Sequence, residues 1–259
     1  MQDRILLFIP AYNCEKQIVR VLESLKGEPS GYFERIIVVN NRSTDATEEV
    51  VRSFKESNPE LNIHILRNHE NYGLGGSHKV AFKYALDFGF DYVVVLHGDD
   101  QGNIRDFIPM LKRRIYRKYD CVLGARFMRG SRLKGYSGIR TIGNIVYDFL
   151  FAAVTGRRVF DLGSGLNMYS TKMLENNFYH KFPDNLTFNY CMVMALEYYN
   201  HHERYYPVSW SESDQVSNVK LGSQAIKVLK MLWEYFSDNE AICREYRDKP
   251  IDDYGADEV

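Results

Sequence analysis

The sequence predicts an α/β fold in which a mostly parallel sheet is covered by helices on both faces. Two observations carry this prediction. Short apolar runs alternate with amphipathic helical patterns over the first hundred residues, and most of these runs are apolar at successive positions. Strands that are buried on both faces have this continuous apolar character, whereas strands with one solvated face alternate. Strands and helices that alternate in this way build a parallel sheet.

The first half of the chain contains four strand-like runs, at residues 4–9, 35–39, 62–66 and 92–96. Three helices are expected between them. The first covers about 15–26, the second begins near the capping residues at 43–45, and the third opens at the glycine-rich turn 73–76. Each run is therefore followed by a helix that can cover one face of the sheet.

The second half reads less regularly and predicts an α+β arrangement. The expected elements are strands at 121–127, 164–169 and 204–210, the last at a sheet edge, and helices at 139–154, 186–200 and 222–236. No internal repeat or linker interrupts the chain, so we expect one domain over 1–259, with halves at 1–103 and 104–236. Residues 237–259 form a tail whose acidic end, DDYGADEV, is expected to be frayed.

Bulk composition excludes several classes of function. The net charge is −1, so no overall field favours nucleic acid. The four cysteines are far apart and predict free thiols in a reducing compartment. The N-terminal segment lacks the features of a secretory signal. The most apolar window, 145–154, contains Asp148 and is too short to span a bilayer. We therefore expect a cytoplasmic protein that can meet a membrane only from its surface.

Positive charge is concentrated in one segment. Between Lys112 and Arg140, ten basic residues stand against one acid, Asp120. Such a segment is either a solvated helix face followed by a loop, or a surface for phosphate and anionic lipid heads. The amphipathic helix at 222–236 has three interpretations: it lies on a bilayer, packs in the core or forms a dimer contact.

Polar clusters follow all four strands of the first half, in the segments PAYN, NNRSTD, NHENYGLGG and HGDDQGN. Ligands of open α/β sheets bind beyond the carboxyl ends of the strands, so these clusters are expected to face one crevice. In HGDDQGN, Asp99 and a neighbouring polar group can hold Mg²⁺ or Mn²⁺ together with substrate phosphates, and His97 would favour Mn²⁺. The glycine-rich turn at 73–76 has two interpretations. It allows a phosphate or sugar to approach the backbone closely, or it is an ordinary turn at the start of a helix.

The segments IPAYNCEKQI, VVNNRSTDAT, NYGLGGSHKVAFKYAL and VVVLHGDDQGN together resemble the nucleotide-sugar half of family 2 glycosyltransferases, which have the GT-A fold. The later LGARF, GIRTIGN and DLGSGLNMYS are similar to the branch that contains dolichyl-phosphate mannose synthase and its polyprenyl-phosphate relatives. The likeness extends over about residues 4–236. It implies a Rossmann-like nucleotide-sugar-binding sheet and an α+β acceptor half.

This resemblance also implies roles for individual residues. Asp99 and Gln101 would hold the metal on the diphosphate, and Asp99, Arg126 and Arg140 would be catalytic. Arg126, Arg140 and Asn144 would grip an acceptor phosphate. The remaining substrate-binding residues implied are Pro10, Ala11, Tyr12, Glu15, Asn40, Asn41, Gly73, Gly76, Lys79, His97, Gly98 and Lys220. The implied partners are a UDP- or GDP-sugar, a polyprenyl phosphate or glycan acceptor, and a homodimer or membrane subunit.

The chain departs from the family pattern at several positions. Asn40-Asn41-Arg42 stands where Asp-Asp-Gly is usual, and His97 stands in place of an aspartate. Asn167 replaces an arginine of the polyprenyl branch, and Thr187 replaces an acid.

The missing acid bears on the acceptor. A sugar hydroxyl needs a general base, whereas a lipid phosphate is already an anion. Asp161 and Asp184 are possible bases that we interpret as structural. We therefore expect an inverting transfer to a polyprenyl phosphate. A saccharide hydroxyl is the alternative, and a non-catalytic nucleotide-sugar-binding subunit is the rival of another class.

Overall fold

The computed structural model of the chain describes residues 3–214 and 221–259. In this part of the chain the strands are β1 (Ile5–Ala11), β2 (Arg35–Asn40), β3 (Ile63–Asn68), β4 (Tyr92–Leu96), β5 (Cys121–Ala125), β6 (Arg132–Lys134), β7 (Leu166–Ser170), β8 (Glu203–Pro207), β9 (Ser209–Ser211) and β10 (Ala256–Glu258). The helices are α1 (Glu15–Ser24), α2 (Thr47–Ser57), α3 (Gly73–Asp87), α4 (Ile108–Lys112), α5 (Gly138–Thr155), α6 (Thr171–Leu174), α7 (Phe188–Tyr198) and α8 (Leu221–Ser237).

The strands form an eight-stranded sheet in the order β10-β3-β2-β1-β4-β7-β5-β8, and a two-stranded sheet of β6 and β9. Strands β3, β2, β1 and β4 run parallel, as the first half predicts. Strand β7 lies antiparallel between β4 and β5, and β8 runs parallel to β5 at the edge. The prediction of a mostly parallel α/β sheet with an irregular second half is confirmed.

Both faces of the sheet are buried, as its continuous apolar strands require. Along β1, Leu6 and Phe8 belong to one apolar cluster, and Leu7 and Ile9 belong to a second cluster on the opposite face. Successive residues of a strand point to opposite faces, so a strand covered on both sides is apolar throughout. The helical covering thus leaves the carboxyl ends of the strands as the place where polar loops collect.

The predicted helices of the second half are found within about two residues of their expected ends. The predicted strand at 204–210 divides at Val208 into β8 and β9, and β9 pairs with β6 in the basic loop. None of the helices in residues 3–214 and 221–259 is long and apolar enough to cross a membrane.

The expectation of a frayed C-terminus is wrong. Strand β10 pairs antiparallel with β3, with Ala256 opposite Asn68 and Glu258 opposite Leu66. Just before it, Tyr254 is buried. An edge strand has one solvated side and can carry charged residues, so the polar sequence DDYGADEV gave no apolar signal for this strand.

Candidate active site

The loops that follow β1, β2, β3 and β4 are hydrogen-bonded to one another. The Gly98 N–H donates to the Pro10 carbonyl (3.1 Å), and the Asn41 N–H donates to the Ala11 carbonyl (2.9 Å). A Cβ atom at Gly98 would lie 3.0 Å from the Pro10 oxygen, so glycine permits this close approach. Pro10, Ala11, Asn41 and Gly98 are therefore brought to the same end of the sheet.

Asn41 organises the loop after β3 and is nearly buried. Its Oδ1 accepts from Asn68 Nδ2 (2.9 Å) and from the Tyr72 N–H (2.8 Å), and its Nδ2 donates to Asn71 Oδ1 (2.7 Å). An aspartate could accept these bonds but could not donate the third one. These three hydrogen bonds explain why an asparagine stands at position 41, where the family usually has an aspartate. The sequence comparison alone did not reveal this reason.

Asn40 is held by a buried carboxylate. Its Nδ2 donates to Glu48 (2.7 Å), and its Oδ1 accepts from the Ser43 N–H (2.8 Å). Arg67 also contacts Glu48, and its hydrogen bonds hold the pKa of Glu48 down at about 2. Asn40 is thus part of the support beneath the loop after β2.

Two further residues that are predicted to bind the nucleotide sugar lie at the edge of this end of the sheet. Tyr12 is 48% exposed, which leaves its ring accessible for stacking on a nucleotide base. Glu15 opens α1, and its carboxylate accepts from the Ala46 N–H (3.0 Å), which joins the loops after β1 and β2.

Asp99 and Gln101 share the turn after β4. The Gln101 N–H donates to Asp99 Oδ1 (3.2 Å). Burial raises the pKa of Asp99 to about 6, with a further contribution from the nearby carboxylates of Asp100 and Glu212. Asp100 adopts a left-handed backbone (φ 59°) and pairs with Arg20 (2.5 Å), so it points to a different partner. Crowded negative charge around Asp99 is the environment that a divalent cation relieves.

His97 is packed inside the site. Burial lowers the pKa of His97 to about 4, so the imidazole is neutral near pH 7. The backbone N–H of His97 donates to the Gly165 carbonyl (3.0 Å), and a Cβ atom at Gly165 would lie 2.6 Å from the imidazole ring. The ring of His78 lies 6.4 Å away. A neutral imidazole supplies none of the negative charge of the aspartate that is usual here.

Glu212 is a residue of the site that sequence reasoning missed. It follows β9, and its Oε1 accepts from Gln101 Nε2 (3.4 Å). Arg140 Nη1 donates to both oxygens of the same carboxylate (2.8 and 2.7 Å). The pairing of β9 with β6 and the Ser211 N–H bond to the Gln101 carbonyl (3.0 Å) bring these distant segments together. Glu212 thus connects the predicted metal turn to the predicted acceptor arginine.

Arg126 is enclosed rather than presented at the surface. Its Nε and Nη2 donate to the two carboxylate oxygens of Asp161 (2.7 Å each), and its guanidinium faces the Trp210 ring at 4.9 Å. Burial opposes its charge, but Asp161 outweighs burial, and the pKa of Arg126 is raised. The Arg126 guanidinium also faces the Tyr136 ring at 5.7 Å, and Asn144 Nδ2 donates to the Tyr136 hydroxyl (2.8 Å). Asp161 is thus engaged in a buried ion pair.

The glycine turn and Lys79 need correction, because the protein itself occupies the space expected for a ligand. The Gly75 N–H donates to the Asp184 carbonyl (2.7 Å), and a Cβ atom at Gly73 would lie 2.4 Å from that oxygen. Tyr254 and Tyr72 pack against Gly76. The Lys79 ammonium is fully buried against the Asp184 carboxylate (2.6 Å) and the Phe182 carbonyl (2.7 Å). Gly73 and Gly75 admit neighbouring backbone, Gly76 admits tyrosine side chains, and the ammonium of Lys79 is used in a buried ion pair.

Lys220 lies outside the described residues. Within residues 3–214 and 221–259, no three His, Cys, Asp or Glu side chains are grouped as a ready-made metal site.

Comparison with known proteins decides the family. The profile described as Glycosyl transferase family 2 matches residues 7–178. The chain belongs to this family. An uncharacterized protein of Methanocaldococcus jannaschii is 32% identical over 169 residues, which are 65% of this chain and 65% of that protein. A UDP-N-acetylglucosamine–dolichyl-phosphate N-acetylglucosaminyltransferase of Methanococcus voltae is 26% identical over 186 residues, covering 68% of this chain and 73% of the relative.

Structural comparison agrees with a family 2 glycosyltransferase of the GT-A fold. Glucosyl-3-phosphoglycerate synthase from Mycobacterium tuberculosis, in complex with Mn²⁺, UDP and glucosyl-3-phosphoglycerate, superposes with a TM-score of 0.63 at 16% identity. The superposition covers 90% of this chain and 80% of the synthase. The GT-A prediction is thus confirmed.

Proposed function

We propose that this chain transfers a sugar, with inversion, from a nucleotide-diphosphate sugar to a polyprenyl phosphate at a membrane surface. The observation that carries the proposal is the contact chain from Gln101 through Glu212 to Arg140, which joins the turn of Asp99 to the basic segment before and within α5. One end of this chain suits a diphosphate with its metal, and the other suits an anionic acceptor. The Methanococcus voltae relative, by its name, acts on dolichyl phosphate, and the UDP-sugar in that name favours a uridine donor.

The donor set at Asp99 and Gln101 fits Mg²⁺ or Mn²⁺. Both side chains offer oxygen, which hard divalent cations prefer, and few protein ligands are needed when substrate phosphates complete the shell. Burial raises the pKa of Asp99, the nearby carboxylates of Asp100 and Glu212 add to this effect, and a bound cation would stabilise the charged form. When bound, the metal supplies Lewis-acid stabilisation of the leaving diphosphate. Tyr12 would pack on the base, and the loop after β2 would border the ribose.

A phosphate acceptor is favoured because the candidate bases are already engaged. Asp161 is paired with Arg126, and Asp184 is paired with Lys79. Thr187, which stands where an acid is common, donates to Asn185 Oδ1 (2.7 Å). A lipid phosphate needs charge compensation and orientation, which Arg140 and Asn144 would supply.

A saccharide hydroxyl remains the second candidate because of Glu212. Its carboxylate lies next to Gln101 and could accept a proton from an attacking hydroxyl. In that case Arg140 would orient Glu212 as the base and would not bind an acceptor phosphate.

The decisive assay is a panel of radiolabelled UDP- and GDP-sugars incubated with the full chain, metal and polyprenyl phosphate. Label that moves into the organic phase supports the proposal. Transfer only to soluble saccharides would support the second candidate, and donor binding without release of nucleoside diphosphate would support a non-catalytic binder.

The metal assignment has its own test. Asp99→Ala should abolish transfer and weaken Mn²⁺ binding, followed by the paramagnetic resonance signal of free Mn²⁺, while the circular dichroism spectrum is unchanged. Asp91→Ala, in an exposed residue before β4, is the control. Near-normal activity and Mn²⁺ binding in Asp99→Ala would refute the assignment.

The acceptor assignment is tested at Arg140. Arg140→Ala should raise the KM for polyprenyl phosphate about tenfold or more and change the KM for the donor little, because a charge-assisted contact to phosphate is worth about 1.5–3 kcal/mol. Arg204→Ala, in an exposed residue of β8, is the matched control. Equal losses for donor and acceptor would contradict the lipid-phosphate proposal.

A further inference from the structure

Two packed helices of the acceptor half, α5 and α8, carry most of the large apolar side chains that are exposed in residues 3–214 and 221–259. Nine of fourteen such side chains lie on these helices: Ile139, Ile142, Ile145, Val146, Phe149, Ile226, Leu229, Trp233 and Phe236. We call this set the α5/α8 apolar surface. Scattered exposed apolar residues need no explanation, but a concentration of this kind marks a contact surface.

These exposed residues are spaced so that they share one face of each helix. On α8, this face differs from the one that packs in the core. Residues 139, 142, 146 and 149 on α5 repeat the intervals of residues 226, 229, 233 and 236 on α8, and such intervals define one face of a helix. The core face of α8 is made by other residues, Val228, Leu232 and Tyr235, which are buried. Helix α8 therefore has one apolar face towards the protein and a second one towards the outside, and α5 contributes Phe151 to the core.

The exposed faces are large and include aromatic rings. Ile139 is 85% exposed, Phe149 is 71% exposed and Trp233 is 67% exposed. The rings of Trp233 and Phe236 lie 5.8 Å apart and present one continuous aromatic area. Tryptophan and phenylalanine are typical of helices that lie in the interface of a bilayer, where one side is apolar and the other is wet.

Basic side chains border this surface. Arg129, Arg132 and Lys134 are exposed in the segment that leads into α5, and Lys227 and Lys230 are exposed on α8. Lys230 also lies 3.8 Å from the carboxylate of Glu234 on the same helix, and anionic lipid heads would complement the remaining basic side chains of this border. A second copy of the chain seated on the same surface by two-fold symmetry would bring equivalent basic borders together, which like-charge repulsion opposes.

We propose that the α5/α8 apolar surface rests on an anionic lipid bilayer and docks the protein there as a peripheral membrane protein. The apolar side chains enter the boundary between heads and acyl chains, and the basic border contacts the lipid phosphates. Arg140, which reaches the active site through Glu212, lies in the first turn of α5. Docking by this surface therefore holds the acceptor end of the site at the level where a membrane-borne phosphate is found. This inference deepens the proposed function and rests on it for its purpose.

The test is co-sedimentation of the full chain with vesicles of phosphatidylcholine alone, or of phosphatidylcholine with about a third phosphatidylglycerol. The double variant Phe149→Glu/Trp233→Glu removes two exposed rings, so it should fold, which circular dichroism verifies. We expect the wild type to bind the anionic vesicles and the double variant to bind them at least about tenfold more weakly. Phe88→Glu, in a ring 50% exposed outside both helices, is the control and should bind like the wild type.

The basic border has a separate readout. Lys227→Glu/Lys230→Glu should weaken binding to anionic vesicles, and should reduce the dependence of binding on salt. Unchanged vesicle binding in the Phe149→Glu/Trp233→Glu variant would overturn the inference. A wild type that fails to bind anionic vesicles would also overturn it, and if that wild type is a dimer by light scattering and the same variant is a monomer, the surface is a dimer contact instead.

Failure of docking and failure of the proposed function give different results. Asp99→Ala should lose transfer and still bind vesicles, because Asp99 lies outside the surface. The Phe149→Glu/Trp233→Glu variant should retain Mn²⁺-dependent binding of the donor nucleotide and transfer to a short-chain, water-soluble acceptor. Vesicle binding without any transfer by the wild type would leave the docking surface standing and refute only the reaction.

Discussion

Asp148 provides a quantitative test of how the acceptor half is built. It lies on α5 and is only 5% exposed, and its Oδ1 has no hydrogen-bond partner among the described residues. Burial raises the pKa of Asp148 from 3.8 to about 8, helped by the carboxylate of Asp161 and opposed by Arg126. The folded protein therefore binds a proton at this position that the unfolded chain has lost at neutral pH.

The sign and size of the effect follow from linkage. Between the two pKa values the native state holds more protons than the unfolded state, so the free energy of unfolding falls as the pH rises. For a folded pKa of about 8 and an unfolded pKa of 3.8, the contribution of Asp148 falls by about 3 kcal/mol from about pH 5 to about pH 7.5. Asp148→Asn removes this dependence. The difference in unfolding free energy, variant minus wild type, should therefore rise by about 3 kcal/mol over that range.

Urea denaturation followed by tryptophan fluorescence at several pH values measures this difference. The comparison across pH separates the titration from any fixed cost of the amide. Asp87→Asn is the control, because Asp87 is exposed and pairs with Lys83 on the same helix. A difference that stays constant between pH 5 and pH 7.5 for Asp148→Asn would refute the reasoning, because it would mean that the carboxyl titrates alike in both states.

Three further predictions concern stability. Lys79→Met should lower the free energy of unfolding by about 3–5 kcal/mol because it leaves a buried carboxylate unpaired, whereas Lys83→Met, in an exposed ion pair, should cost under about 1 kcal/mol; equal costs in urea denaturation would contradict this. Gly75→Ala places a Cβ atom 2.3 Å from the Pro183 oxygen and should cost at least about 1–3 kcal/mol, whereas Gly143→Ala, with open space around it, should be neutral or raise the melting temperature. The depressed pKa of Glu48 stabilises the fold above pH 4.5 by up to about 3 kcal/mol, a contribution lost as the pH falls towards 2; acid titrations in which Glu48→Gln loses stability in parallel with the wild type would refute it.

Apolar patterning predicted the framework because it is a local signal. The strands β1, β2 and β4 contain runs of successive apolar residues, and burial on both faces is what the parallel sheet requires. The turn of Asp99 could be predicted for the same reason, since its position at the end of a buried strand is fixed by the strand. The polar contacts Asn41–Asn68 and Asn40–Glu48 could not be predicted, because they depend on side chains of different loops.

Glu212 and the segment after Ser237 escaped prediction for a related reason. Glu212 stands in the polar segment SESD, where no period marks it, and only the pairing of β6 with β9 brings it to Gln101. Strand β10 is short and charged, and it is stable because β3 offers it an unpaired edge. Both features depend on contacts between segments distant in sequence, which no short window contains.

Asp184 shows how contacts between distant segments fix the packing of the nucleotide-sugar half. Its carbonyl accepts from the Gly75 N–H in the first turn of α3, and its carboxylate accepts from Lys79 in the next turn and from the Tyr254 hydroxyl (2.6 Å) near the C-terminus. The family profile ends at residue 178, before this aspartate. The packing of α3, an element of the nucleotide-sugar half, is therefore completed by residues beyond the matched segment. It follows that substitutions at Asp184 or Tyr254 should disturb the loop of Asn71 and Tyr72 that Asn41 holds.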